Sequence, residues 1–220
     1  MTLQLLAVGI YLEFLFSLNH WLVNLLWVIV MIIISTVVTG KRSRLPLKTF
    51  FIPLFVSLVL VIASVNGYFL GVIIGLDNIF DARYFIPITG MMLGNSIKTI
   101  IVALNDYYGN LLQNKTEYQW YLANGANFFE ARLPFLQSAF QKAFNPVIAT
   151  TAIVGLVSLP GMMTGQILGG NSPILAVKYQ IMLMITIFTI SIVSVVIALF
   201  LSDKKVFTAL KNLDETKLKP

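Results

Sequence analysis

The chain contains no cysteine and a single histidine, His20, in 220 residues. Without cysteine there is no disulfide, thiolate metal site or thiol nucleophile. One histidine cannot build a zinc cluster within one chain, and His20 has no acid near it in sequence to complete a serine–histidine–acid set. Charge is scarce too: charged residues make up 11%, against about 25% in a soluble domain. The start, Met1-Thr2-Leu3-Gln4, has no basic region and no small-residue cleavage site follows, so no signal peptide is expected. No phosphate loop of the form G-x-x-x-x-G-K-[ST] is present. The one Gly-Lys pair, Gly40-Lys41, precedes an arginine and lacks the upstream glycine.

What fills the chain is apolar: 58% hydrophobic residues and a mean hydropathy of +0.87. With no repeat and no separable soluble piece, residues 1–220 read as a single integral membrane domain. The net charge of +6 would suggest nucleic acid in a soluble protein. Here the bases sit in short loops and the tail, which fits membrane orientation and lipid headgroups instead. No nucleic-acid partner and no cofactor are expected.

A membrane crossing needs about 20 mostly apolar residues. Six stretches meet or approach this: Leu3–Leu18, His20–Thr39, Thr49–Gly75, Arg83–Leu104, Asn145–Leu168 and Ala176–Leu201. The expected fold is therefore all-α and polytopic. Lys41, Arg42, Arg44 and Lys48 follow the second span. Lys115, Arg132 and Lys142 lie between the fourth and fifth, and Lys204, Lys205, Lys211, Lys217 and Lys219 in the tail. The positive-inside bias puts both termini, the segment 105–144 and the tail 202–220 in the cytoplasm of a multi-pass cell-membrane protein.

The fifth span is interrupted. Gly155-Leu156-Val157-Ser158-Leu159-Pro160-Gly161-Met162-Met163-Thr164-Gly165 places proline and glycines where a plain helix should run. Irregular backbone at membrane depth is tolerated only when packed in protein or lining a wet cavity. That points to transport.

The segment 105–144 holds a second signal. Asn127-Phe128-Phe129-Glu130 reads as a capping box, after a tight turn permitted by Gly125-Ala126. Phe129, Leu133, Leu136, Phe140 and Phe144 then recur at helical spacing, giving one apolar face. Pro134 is expected to bend this helix or split it. Periodicity leaves two readings open, a helix lying on headgroups or one docking a cytoplasmic partner.

Candidate pathway residues are few. Asn95 and Lys98 share a face of the fourth span, and Gly90 and Gly94 give the G-x-x-x-G spacing of close helix approach. Two readings stay open: Lys98 snorkels toward the cytoplasmic end while Asn95 joins two helices, or Asn95 is a pathway ligand, beside which Lys98 would repel a metal cation. Glu13 is the one carboxylate within a span: either a cation ligand or proton carrier, or, about one turn from the outer end, a side chain that reaches water. Met91, Met92, Met162 and Met163 are soft donors or simply adaptable packing. Gln166, Tyr179 and Gln180 flank the Gly169–Pro173 loop, and Gly161 opens the second half of the broken span. No metal-ligand set is defined.

Several blocks together resemble one family. Ile86-Pro87-Ile88-Thr89-Gly90-Met91-Met92-Leu93-Gly94-Asn95, the Gly155–Gly165 block, Lys178-Tyr179-Gln180-Ile181 and Gly125-Ala126-Asn127 are similar to the signature stretches of the FetB-type iron-export permeases. Gln4-Leu5, Gly9, Leu12 and Phe16 resemble that family's second span, so the chain is expected to lack the first of seven. Either the start codon lies elsewhere, or the protein works without that helix. Phe128 stands where the family often has proline, and Asn127 is expected to cap the helix regardless.

The resemblance implies a non-enzymatic, dimeric permease subunit that exports iron or another metal ion and is driven by a separate cytoplasmic ABC ATPase. Gly125, Ala126, Asn127, Phe129, Glu130, Leu133 and Phe140 would then form the coupling segment. Asn95, Gly161, Met162, Gln166, Tyr179, Gln180 and Glu13 would line the pathway. Two other functions fit the spans alone: a membrane scaffold or sensor using the same helix, and an ion-coupled carrier using Glu13.

Overall fold

Four helices are long and apolar enough to cross a membrane in the computed structural model, which describes residues 2–155, 158–208 and 211–218. In chain order the helices are α1 Thr2–Leu18, α2 Trp21–Arg42, α3 Leu47–Tyr68, α4 Ala82–Gln113, α5 Lys115–Ala123, α6 Phe128–Ile153, α7 Gly161–Leu168 and α8 Pro173–Val206. The four long spans are α2, α4, α8 and α3 with its π-helical continuation to Ile73. α1 is shorter and mostly exposed, touching the bundle chiefly through Leu15, which packs with Ala82 and Ile86.

Local chemistry sets the helix ends. Asp81 caps α4 by accepting from the Arg83 N–H at 3.0 Å. Ser172 caps α8, accepting from Leu175 N–H at 3.3 Å, with Pro173 at the first helical position. Lys204 and Lys205 occupy the last turn of α8, where cations suit the helix dipole. α3 closes at Gly75, whose φ of 71° needs a residue without a side chain.

α4 is the central post, packing against α2, α6 and α8, while α3 packs on α2 and α8. Lipid is as apolar as leucine, so close fit and interhelical hydrogen bonds must hold such a bundle. Gly90 provides close fit: a methyl there would come within 3.1 Å of Met31 Cε on α2. Gly94, its partner in the expected small-residue motif, has nothing within 4 Å of a built Cβ, so only one of the two glycines serves helix contact. Asn66 of α3 donates from Nδ2 to Thr89 Oγ1 of α4, both buried, and Thr89 donates on to the Phe85 carbonyl at 2.6 Å.

Two expectations change in form. Pro134 does not split the amphipathic segment: α6 runs unbroken for 26 residues through both Pro134 and Pro146. Ala131, Phe135, Ala139 and Ala143 form its buried stripe, and α6 packs on α4. That packing holds the helix where proline removes a backbone donor. The fifth span is consequently two pieces, the end of α6 and the short α7, joined by the interruption at 154–160. Leu156 and Val157 of the interruption lie outside the described residues. The segment 105–144 likewise starts as a helical extension of α4 to Gln113.

Candidate functional site

The interruption lines a cavity. A space of about 500 Å³ is bounded by α4 (Asn95, Lys98, Thr99, Val102), the end of α6, the interruption (Val154, Ser158, Pro160) and α8 (Gln180, Met184, Ile187). Gly155 has φ 87°, and its N–H donates to the Ser158 carbonyl at 2.9 Å, closing the loop on itself. Pro160 then enters α7 without a side-chain cap.

A second space, about 350 Å³, lies further along α4 and α8 toward the acidic loop at Asp77–Asp81 and is lined by Tyr84, Ile88, Met162, Gln166, Asn171 and Tyr179 among others. The candidate pathway residues therefore divide. Asn95 and Gln180 face the larger cavity, whereas Met162, Gln166 and Tyr179 face the smaller one. Gly161 sits between them, next to Pro160 of one wall and Met162 of the other. Glu13 joins neither: it is exposed on α1. Met92 is fully buried packing rather than lining.

The basic end of the bundle carries the capped helix. α5 ends in a Schellman closure, Ala126 N–H to Tyr121 C=O at 3.0 Å and Gly125 N–H to Leu122 C=O at 3.1 Å. Gly125 takes the left-handed conformation this requires, φ 87°. Asn127 Oδ1 then accepts from the N–H groups of Phe129 (2.9 Å) and Glu130 (3.0 Å), and Glu130 Oε2 accepts from Asn127 N–H at 2.8 Å. The reciprocal box expected from the sequence is complete.

The apolar face it opens is divided. Phe129 is 57% exposed and Leu133 37%, whereas Leu136 and Phe140 are half-buried against the core and Phe144 is buried. Only the first two turns present a free apolar surface.

Sequence reasoning missed what fastens α6. Arg132 makes a buried ion pair with Asp203 of α8, and Asp203 also accepts from the hydroxyls of Tyr107 (3.2 Å) and Tyr108 (3.1 Å) of α4. The Arg132 guanidinium lies 3.8 Å from the Phe128 ring centre, a cation–π contact. A second lock joins α6 to α4: Asp106 pairs with Lys142 and accepts from Ser138 Oγ at 2.7 Å and Asn110 Nδ2 at 3.0 Å. Nothing local in sequence marks partners 71 residues apart. On α5, burial pushes the Tyr118 hydroxyl up to about 12, and that hydroxyl donates to the Lys211 carbonyl of the tail at 2.6 Å.

Among the described residues no group of three or more His, Asp or Glu gathers as a metal site. The arrangement defines a multi-pass helical membrane protein with a broken crossing that walls an open cavity on the side of the bundle. The chain belongs to the Uncharacterised protein family (UPF0014), whose pattern it matches over residues 1–207. It is 36% identical over 195 residues to the UPF0014 membrane protein slr1647 of Synechocystis, covering 88% of this chain and 75% of that one. It is 31% identical over 218 residues to the "Probable iron export permease protein FetB" of Escherichia coli, covering 99% and 82%. Protein ALUMINUM SENSITIVE 3 of Arabidopsis thaliana is 29% identical over 208 residues, covering 94% and 74%. No solved structure matches the chain.

Proposed function

We propose that this chain is the membrane permease subunit of an ATP-driven exporter in the cell membrane, coupled to a separate cytoplasmic ABC ATPase and carrying iron or another metal ion. The observation that carries the reading is the continuity of α6. One helix begins at a capped, exposed Phe129/Leu133 face and ends at Ile153, beside the interruption that walls the larger cavity. A push at the first end reaches the second through about 39 Å of unbroken helix at 1.5 Å per residue. Helix-in-groove docking is how an amphipathic face of this kind engages a partner.

The positive-inside bias supports placing the basic end, both termini and the Phe129 face in the cytoplasm. The permease is a homodimer in this reading. α7 has no buried residue, and Gly161 and Gly165 on one stripe have nothing within 4 Å of a built Cβ. A second copy would cover this stripe and keep lipid from the broken backbone. The ion-coupled carrier reading loses its coupling group, because Glu13 faces neither cavity. A scaffold or sensor would have no use for a cavity behind its docking helix.

The test is uptake into inverted membrane vesicles from cells expressing the chain together with its ATPase. ATP-dependent iron accumulation supports the proposal; accumulation that is absent, or indifferent to ATP, overturns it.

A further inference from the structure

The larger cavity has one charged side chain, and it is a cation. Its lining includes Lys98 with Asn95, Thr99, Thr150, Thr151, Ser158 and Gln180, and it includes no Asp, Glu or His. Lys98 is exposed to this open space and has no ionic or hydrogen-bonding partner among the described residues. An ionisable group within a membrane crossing normally pairs with another group or faces a site where its partner binds. Its neighbours on the same helix do not neutralise it: Asn95 and Thr99 carry no charge, and their bonds run to the Met91 and Ser96 carbonyls rather than to Lys98.

The rest of the lining is short of partners of the opposite kind. Gln180 Oε1 is buried without any hydrogen-bond donor. Thr150 and Thr151 spend their hydroxyl protons on backbone carbonyls of α6, leaving only acceptor lone pairs toward the cavity. A species that answers both groups brings anionic oxygen to Lys98 and hydroxyl or water protons to Gln180. The Gln180 and threonine oxygens can meet a bare divalent ion, but such an ion is repelled by Lys98 and leaves that ammonium without a counter-charge. The size agrees: about 500 Å³ suits a small organic molecule, whereas an ion held directly would need donor atoms at about 2.0–2.2 Å.

We infer that the cavity binds an oxyanion, a hydroxycarboxylate or phosphate group, either free or as the ligand shell of a metal ion, with Lys98 as its counter-charge. This rests on the permease reading and specifies the form in which the cargo crosses. Coordinated water or a free hydroxyl supplies the proton that Gln180 lacks.

Isothermal titration of the purified chain in lipid nanodiscs tests it, using sodium citrate, ferric citrate, sodium phosphate and manganese chloride in turn. At least one oxyanion binds saturably, Lys98→Gln weakens it about tenfold or more, and Lys98→Arg keeps it, since a charge-assisted contact is lost in one and kept in the other. Tighter binding of ferric citrate than of citrate identifies the metal complex as the occupant. Equal or weaker binding identifies the free anion, and a preference for phosphate identifies that group. Absence of oxyanion binding by the unaltered chain overturns the inference. So does binding that survives Lys98→Gln, or manganese binding that tightens when Lys98 is neutralised. ATP-dependent vesicle transport with no such binding sinks this inference alone; Lys98-dependent binding without ATP-driven transport sinks the permease reading alone.

Discussion

Arg132 of α6 and Asp203 of α8 form a buried ion pair whose carboxylate is also held by the Tyr107 and Tyr108 hydroxyls of α4. Three helices meet at this point, one of them the helix that carries the exposed Phe129 face. Removing one partner leaves the other charge buried and unpaired, which costs about 3–5 kcal/mol. Asp203→Ala in detergent is expected to melt well below the unaltered protein. Arg132→Met combined with Asp203→Leu should recover the share due to the unpaired guanidinium, while the Tyr107 and Tyr108 hydroxyls stay without their acceptor. A double variant no more stable than the single one would contradict the pairing.

Substitutions on the amphipathic face should separate surface from support. Phe129→Asp and Leu133→Asp fall on exposed positions, where changes usually stay within about 0.5 kcal/mol. They should leave the melting temperature nearly unchanged and lower ATP-dependent transport. Phe140→Asp looks equivalent by spacing alone. It puts a charge against the core, though, and should reduce folded yield instead.

The cap should be measurable by itself. Asn127→Ala removes both acceptor contacts to the first turn and should cost about 1 kcal/mol, read as a lower melting temperature. Asn127→Ser should recover most of it.

Much of this was legible from residues close together in sequence. The capping box spans four positions, the Schellman turn needs Gly125 directly before it, and proline with glycine announces the broken crossing. Each is a local backbone requirement, so a single chain segment states it. The run of α6 through Pro134 was not legible. A proline's local cost was outweighed by the Ala131, Phe135, Ala139 and Ala143 stripe, which pattern reading overlooked in favour of the larger Phe and Leu side chains. Nor could spacing show that Asn95 and Gln180 share one cavity while Gln166 and Tyr179 share another, or that Glu13 joins neither. Those placements depend on how α4 and α8 are rotated against each other.

The interruption should matter for transport rather than for insertion. Gly155 adopts φ 87°, so Gly155→Val is strained there. Paired with Pro160→Leu, it favours fusing α6 to α7 as one helix. The fused variant should reach the membrane in normal amount, measured by immunoblot of isolated membranes, and transport nothing in inverted vesicles. Undiminished transport would show that the cavity wall does not need its break.

Alkaline pH should release the tail. Burial raises the Tyr118 hydroxyl from 10.0 to about 12, so the protonated form is the one that the fold favours. Its stabilising contribution is complete below about pH 10, the ordinary tyrosine value, and fades as pH rises through about 12. Tyr118→Phe, which cannot donate to Lys211, should expose the tail to limited proteolysis already at neutral pH. Equal protection in both proteins would contradict this role.

The central claim is that the Phe129/Leu133 surface of α6 engages an ATPase whose work is carried to the broken crossing. Affinity purification of the chain from native membranes, with quantitation of co-eluting ATPase, tests it most directly. The account predicts a stoichiometric ATPase with the unaltered protein and its loss with Phe129→Asp and Leu133→Asp combined, at equal permease recovery. An unaltered chain that elutes without any ATPase, or a doubly substituted chain that retains it, would contradict the account.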